Sequence, residues 1–395
     1  MKKIYFDYAA TTPIDKEVLK AMAPYFSDTF GNPSSIHRFG QEAIAAVDEA
    51  REKIAKFLQC DFNEIIFTGS ATEANNLAIR GLVISDTGQV KREKKHFITT
   101  NIEHESINEP LKELEKAGHE VTYLKVDKDG FMNISDLEYS IKKNTLLITI
   151  IYASNEIGTI QPIKEIGKLI EKINVKRREE SLPKIYFHTD AVQAFNYLEC
   201  RPDWLKVDLL TFSGHKIYGP KGIGALFVRK NTSLTPIISG GGQEFGMRSG
   251  TLNVPYIVGL AKAVELVFKN REKYAKLILN LRNKLLHNII TYNSDIKVNG
   301  TVLNRLPNNI NIRFPGVHNE TMLVALDLAG FAVSAGSACS SRASEVSHTL
   351  KAIGLNNAQA NESIRITLGK YSNEKEIKKL ANIMGNLSKK LKIIK

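Results

Sequence analysis

Short runs of bulky apolar residues recur along this chain, and each ends on small or polar residues before a helix-like stretch begins. EIIFTGS, HFITTN, VTYLKV, TLLITIIY, KIYFHTD and VDLLTFSGHK all have this form. An apolar run of about four to eight residues bounded by turn signals reads as a strand buried on both faces. Such strands alternating with amphipathic stretches imply a parallel sheet wound on both sides by helices. The expectation is an α/β fold. A large domain over residues 15–260 carries a mostly parallel, doubly wound sheet; residues 1–14 and 261–395 form a smaller α+β domain.

Sheets of this kind place their ligand crevice at the carboxyl ends of the strands, so the residues that end each run matter most. After Val207–Phe212 come Ser213, Gly214, His215 and Lys216. A lone lysine after a strand is usually a solvated surface residue. One held at a crevice among apolar neighbours can lose its proton and attack a carbonyl, and its natural partner is pyridoxal phosphate. That cofactor needs a carboxylate to keep its ring nitrogen protonated, and Asp190, at the end of the preceding apolar run, is the candidate. The turn Gly69, Ser70, Ala71 and Thr72, leading from a strand into a helix, is the candidate phosphate cradle. Small residues let backbone amides approach an anion that the helix amino terminus also favours. Ser213 and His215 converge on it as further donors.

Composition narrows the function classes. The chain is 43% hydrophobic and 24% charged, within the range of globular proteins. No run of about 18 apolar residues is present, which argues against a membrane span. Asp7 interrupts the amino terminus before any signal-like apolar core forms, so a cytoplasmic protein is expected. Cys60, Cys200 and Cys339 are widely spaced, which points away from disulfides and from a resident metal site. The formal net charge of +12 is scattered over helix faces and the carboxyl tail. Even KREKK at residues 91–95 reads as a solvated loop rather than a nucleic-acid patch.

HTDAVQ followed by TFSGHKIYGPKG resembles the cysteine desulfurases, pyridoxal-phosphate enzymes of fold type I within the class V aminotransferases. The resemblance runs from FDYAATTP to SIRITLG in the same order. SAGSAC with a long following segment is similar to the branch containing the bacterial NifS and IscS enzymes. Where that branch commonly has S-L-E-P after the cysteine, this chain has RASEV. It ends at LKIIK, short of the longer tail by which some members hold an iron–sulfur scaffold protein.

The resemblance implies the remaining roles. His104 stacks on the cofactor ring and moves protons; Asn155 and Gln193 serve the ring's phenolic oxygen. Asn32, Asn155 and Arg365 hold the substrate, the arginine fork matching an α-carboxylate. Thr251, in the glycine-rich segment Gly240–Pro255, reaches the phosphate in a neighbouring subunit and so implies a homodimer. Cys339, among Ser, Gly and Ala with little to pack against, is the reactive thiol, unlike Cys60 and Cys200. Its thiolate takes the sulfur of L-cysteine, leaving L-alanine and a persulfide for iron–sulfur assembly or another acceptor. Any contact of that persulfide with a cluster is transient. Residues 338–345 are expected to be mobile so that the sulfur can travel. The competing readings are a selenocysteine lyase or an aminotransferase on the same fold. In another class stands a basic scaffold or nucleic-acid binder in which Lys216, Asp190 and His104 are idle.

Overall fold

The computed structural model describes residues 3–86, 94–336 and 346–392. Cys339 and the segment 338–345 lie outside the described residues. The strands are β1 Ile4–Tyr5, β2 Ile65–Thr68, β3 His96–Thr100, β4 Glu120–Leu124, β5 Thr145–Ile151, β6 Tyr186–Asp190, β7 Leu209–Ser213, β8 Gly224–Val228, β9 Lys297–Val298, β10 Asn309–Arg313, β11 Phe331–Ala332 and β12 Ser363–Thr367. The helices are α1 Lys16–Met22, α2 Pro24–Ser27, α3 Arg38–Leu58, α4 Ala71–Asp86, α5 Glu105–Lys116, α6 Ile134–Ser140, α7 Ile163–Glu179, α8 Pro202–Leu205, α9 Val254–Tyr292, α10 Asn319–Leu328, α11 His348–Ala352, α12 Asn357–Ala360 and α13 Glu374–Lys392.

The apolar runs assemble into one seven-stranded sheet in the order β2-β8-β7-β6-β5-β3-β4. From β4 to β7 every pairing is parallel, as crossover helices require; β8 runs antiparallel to both of its neighbours. The reversal has a simple cause. The link from Ser213 to Gly224 is too short for a crossover, so β8 can only fold back along β7. Alternate residues face opposite layers. Ile65 and Phe67 join the core under α3 and α9, while Ile66, Leu209 and Leu226 join the core under α4 and α5.

A further core is built from Ile4 and Phe6, the distal half of α9, the antiparallel sheet β12-β10-β9, α10 and α13. α9 serves two cores without a break, with Val254 to Val267 packed in the first and Ile278 to Ile289 in the other. Leu350, Ile353 and Ala360, late in the chain, return to the first core.

The stretch from Asp15 to Phe26 holds two helices, broken before Pro24, whose ring removes a helix donor; Asp15 caps the first by accepting from Glu17 N–H. The Ser135–Glu138 spacing resembles a capping box, but none forms. Asn133 is the cap, accepting from Ser135 N–H, and the helix has already begun at Ile134. The glycine-rich stretch 240–255 contains a short 3-10 turn, Glu244–Gly246, and its last residues open α9.

Candidate active site

The carboxyl ends of β3, β5, β6 and β7 border a cleft of about 750 Å3. Ala71, Thr72, His104, Asn155, Asp190, Gln193, Ser213, His215, Lys216 and Arg365 all line it, although they come from six different segments of the chain. Gly214 lies just behind. Its amide donates to Ile223 O, and a Cβ there would sit 2.8 Å from Pro220 O, so only glycine lets the Lys216 turn close on β8.

At the floor of the cleft, Asp190 ends β6 with its carboxyl fixed by N–H donors. Oδ1 accepts from Val192 N at 2.9 Å and Oδ2 from Asn75 Nδ2 at 2.8 Å. Asn75, buried in α4, also donates to Ser106 Oγ at 2.8 Å, and Ser106 Oγ lies 2.8 Å from His104 Nδ1. A polar chain thus runs from the carboxylate to the imidazole. His104 caps α5, its Nδ1 accepting from Ser106 N at 3.1 Å. With Nδ1 an acceptor, the neutral ring carries its proton on Nε2. Neither Asn75 nor Ser106 was singled out from the sequence. Each sits on a helix whose register about the strand ends shows only in three dimensions.

Lys216 Nζ donates to the carbonyls of Ala9 (2.5 Å) and Ala10 (2.7 Å), and Gln193 Nε2 donates to Ala9 O at 2.9 Å. The amino-terminal segment therefore closes one wall of the cleft. His215 approaches Thr11 Oγ1 at 3.2 Å, and burial, followed by the charges of Lys216 and Lys221, pushes its imidazole down to about 4. His215 is a neutral ring at physiological pH. Arg365, almost wholly buried on β12, reaches in from the carboxyl-terminal part; Nη2 pairs with Asp7 Oδ1 at 2.8 Å and Nη1 donates to Asn155 O at 3.0 Å.

The strand-to-helix turn is compressed against the sheet. A Cβ on Gly224 would lie 2.7 Å from Ser70 C and 2.8 Å from Ala71 N, so β8 must carry glycine for the turn to reach its place. Its amides open α4, and Ser70 Oγ accepts from Glu73 N at 3.1 Å. Pyridoxal phosphate fits this set. The compressed turn suits its phosphate, the carboxylate between N–H donors suits its ring nitrogen, and a primary amine stands on the cleft wall. The Asn75 carboxamide oxygen, buried without a partner among the described residues, lies beside the same carboxylate.

Asn32 and Thr251 do not line this cleft. Asn32 is exposed and accepts from Ser34 N at 3.0 Å. Thr251 is also exposed and borders a smaller hollow with Thr68, Gly69 and Arg248, on the far side of Gly222 and Ile223 from the cleft. Cys60 and Cys200 are packed away, and burial raises both thiols far above the range of a reactive cysteine.

The aminotransferase class-V family model matches residues 4–380. A cysteine desulfurase IscS of Dictyoglomus turgidum is 45% identical over 393 residues, which is 100% of this chain and 96% of that protein. A solved NifS-like protein superposes with a TM-score of 0.90 at 35% identity, covering 98% of this chain and 100% of its own. The structure of SspA in complex with cysteine gives 0.76 at 38% identity, covering 94% and 100%. Matched along its whole length and built around the strand-end cleft described above, the chain belongs to the aminotransferase class-V family, among its cysteine desulfurases.

Proposed function

We propose that this protein, working with pyridoxal phosphate, takes the sulfur of L-cysteine onto Cys339 and releases L-alanine. The observation that carries the reading is that Lys216, Asp190, His104 and Arg365 all line one cleft, from distant parts of the chain. A cysteine-bound structure of the similar SspA supports cysteine as the substrate class.

Bound there, pyridoxal phosphate supplies an electron sink next to the substrate α-carbon. Asp190 keeps the proton on the ring nitrogen, and Asn75 and Val192 keep Asp190 in place. Lys216 Nζ, which rests between Ala9 O and Ala10 O, would hold the cofactor's carbonyl carbon and would move the substrate α-proton. His104, its Nδ1 committed to Ser106, would stack the face of its ring on the cofactor and leaves Nε2 for proton transfer. Asn155, Gln193 and Arg365 orient the substrate and ring oxygens, Arg365 sharing its fork with Asp7. Ala71, Thr72, Ser213 and His215 hold the phosphate. The Cys339 thiolate then takes the substrate sulfur: the carbon–sulfur bond breaks as a sulfur–sulfur bond forms. The electron pair of the broken bond stays with the β-carbon, which takes up a proton, and Lys216 returns the α-proton, giving L-alanine.

Exposed Thr251 and Asn32 complete the cleft of a second subunit, which makes the protein a homodimer. The domain division proposed for it is a large unit around the sheet and a smaller one around β12-β10-β9, joined through α9. The persulfide passes to a sulfur-accepting protein such as an iron–sulfur scaffold, in the cytoplasm. Among the described residues no helix is long and apolar enough to cross a membrane. The test is a single-turnover reaction of purified protein, pyridoxal phosphate and L-cysteine. Equal amounts of alanine and Cys339 persulfide are expected. Amino-group transfer to an oxo acid without sulfur release would overturn the reading.

A further inference from the structure

Glu103 precedes His104 and is wholly buried, yet it does not line the cleft. It stands where β3 and β5 stop pairing. Their ladder ends at Ile98 and Ile148, whereas β3 continues along β4 as far as Thr100 and β5 continues along β6 as far as Ile151. The Glu103 carboxyl spans the two unpaired ends. Oε1 accepts from Thr100 Oγ1 at 2.7 Å and from Ile151 N at 2.9 Å, while Oε2 has no partner among the described residues. The backbone is anchored as well. Glu103 O accepts from Asn108 Nδ2 at 3.0 Å and from His348 Nε2 at 2.9 Å, tying the loop to α5 and α11.

A carboxylate sealed in this position, one oxygen unpaired, carries a desolvation cost that the two bonds to Oε1 only partly offset. Burial, with the like charge of Asp190 adding to it, pushes the group up to about 8, against the pull of the Thr100 and Ile151 donors. The titratable groups set around it are Asp190 on β6, His104 and Glu105 beside it in the chain, and His348 on α11. An anion here would also stand close to Asp190, whose own charge the ring nitrogen requires.

We propose that Glu103 is a positioning residue: held as an uncharged acid, it braces the parted ends of β3 and β5 and thereby fixes His104 at the cleft without adding charge beside Asp190. The consequence for turnover rests on the role given to His104 above; the protonation state and the brace do not.

The experiment compares wild type, Glu103→Gln and Glu103→Leu as full chains, with and without pyridoxal phosphate. Infrared difference spectra of the cofactor-free protein at pH 7 should show a carboxylic-acid carbonyl band that Glu103→Gln removes and that fades as the pH passes about 8. The folded-state value lies above the ordinary 4.5, so this stabilising contribution is complete below 4.5 and is lost as the pH rises to about 8. The melting temperature of wild type should therefore fall relative to Glu103→Gln across that window and run parallel above it. With cofactor, Glu103→Leu should lower kcat on the order of a hundredfold with KM little changed, and Glu103→Gln should recover most of that loss. Absence of the carbonyl band together with a pH-independent melting difference would overturn the uncharged acid. Equal kcat in Glu103→Leu and wild type would overturn the brace. If no variant, wild type included, releases alanine, the proposed function fails while the infrared and melting results still decide the state of Glu103.

Discussion

Lys216 occupies its place through two carbonyls of the amino-terminal segment, so its amine is presented from a fixed wall and not from a free loop. Lys216→Ala should abolish the visible absorbance of bound cofactor, and borohydride followed by peptide mapping should label Lys216 in the wild type. Labelling at another lysine would displace it from the mechanism. Arg365 poses a different question, since Asp7 and Asn155 O already engage its terminal nitrogens. A substrate carboxylate that shares the fork gains a charge-assisted pair worth roughly 1.5–3 kcal/mol. Arg365→Ala should accordingly raise KM for cysteine by about tenfold or more, with kcat changed less; an unchanged KM would count against it. The lysine and the aspartate were legible in the sequence because each ends an apolar run. Asp7, Asn75 and Ser106 were not, because their partners are fixed only when α4, α5 and the amino-terminal segment close over the strand ends.

At the scale of elements, the sheet is tied across its strands by histidines as well as by backbone. His188 on β6 lies 2.8 Å from Thr149 Oγ1 on β5 and 3.1 Å from Thr211 Oγ1 on β7; His96 on β3 bridges Thr145 on β5 and Thr122 on β4. Burial pushes His188 down to about 3 and His96 to about 4. Both values lie below the ordinary 6.5, so the unfolded chain takes up protons that the folded one refuses, and stability is lost as the pH falls from 6.5 towards 4 and 3. A neutral His188→Gln variant should therefore resist acid unfolding at a lower pH than wild type, read by circular dichroism. The glycine-rich segment is tied just as firmly. Glu244, buried, pairs with buried Arg51 at 2.6 Å and accepts from Phe67 N at 2.7 Å, and the guanidinium packs over Phe62, Phe67 and Phe245. Glu244 and Phe245 both take left-handed backbone, a strain the ion pair holds in place. Removing one partner strands the other charge, so Glu244→Ala should cost about 3–5 kcal/mol in urea unfolding. Composition alone reads residues 240–255 as a loop. The anchor was hidden because Arg51 and Glu244 lie far apart in the chain and each looks like an ordinary helix or loop charge.

The whole molecule leaves apolar surface that a single chain does not cover. Phe26, Phe30, Ile36 and Phe39 are all more than half exposed, with Ile36 at 94%, and they flank Asn32. Scattered apolar residues on a surface need no explanation, but a run of four in the segment carrying an expected substrate contact is what a subunit interface would use. Thr251 points to the same arrangement, since it sits outside its own cleft on a segment that Arg248 ties to the Gly69–Thr72 turn through Glu73 at 2.8 Å. If Thr251 serves the neighbouring cleft, two crippled homodimers should repair each other. A Lys216→Ala subunit still supplies Thr251, and a Thr251→Ala subunit still supplies Lys216, so each mixed dimer contains one cleft with both residues and one with neither. Random exchange of subunits should then restore roughly a quarter of wild-type alanine release from two preparations that each have little. Were Thr251 to serve its own chain, every cleft in every mixture would lack one residue and no activity would return. The charge-bearing variant Ile36→Asp should remove the effect at its source, giving monomers in light scattering and no recovery on mixing.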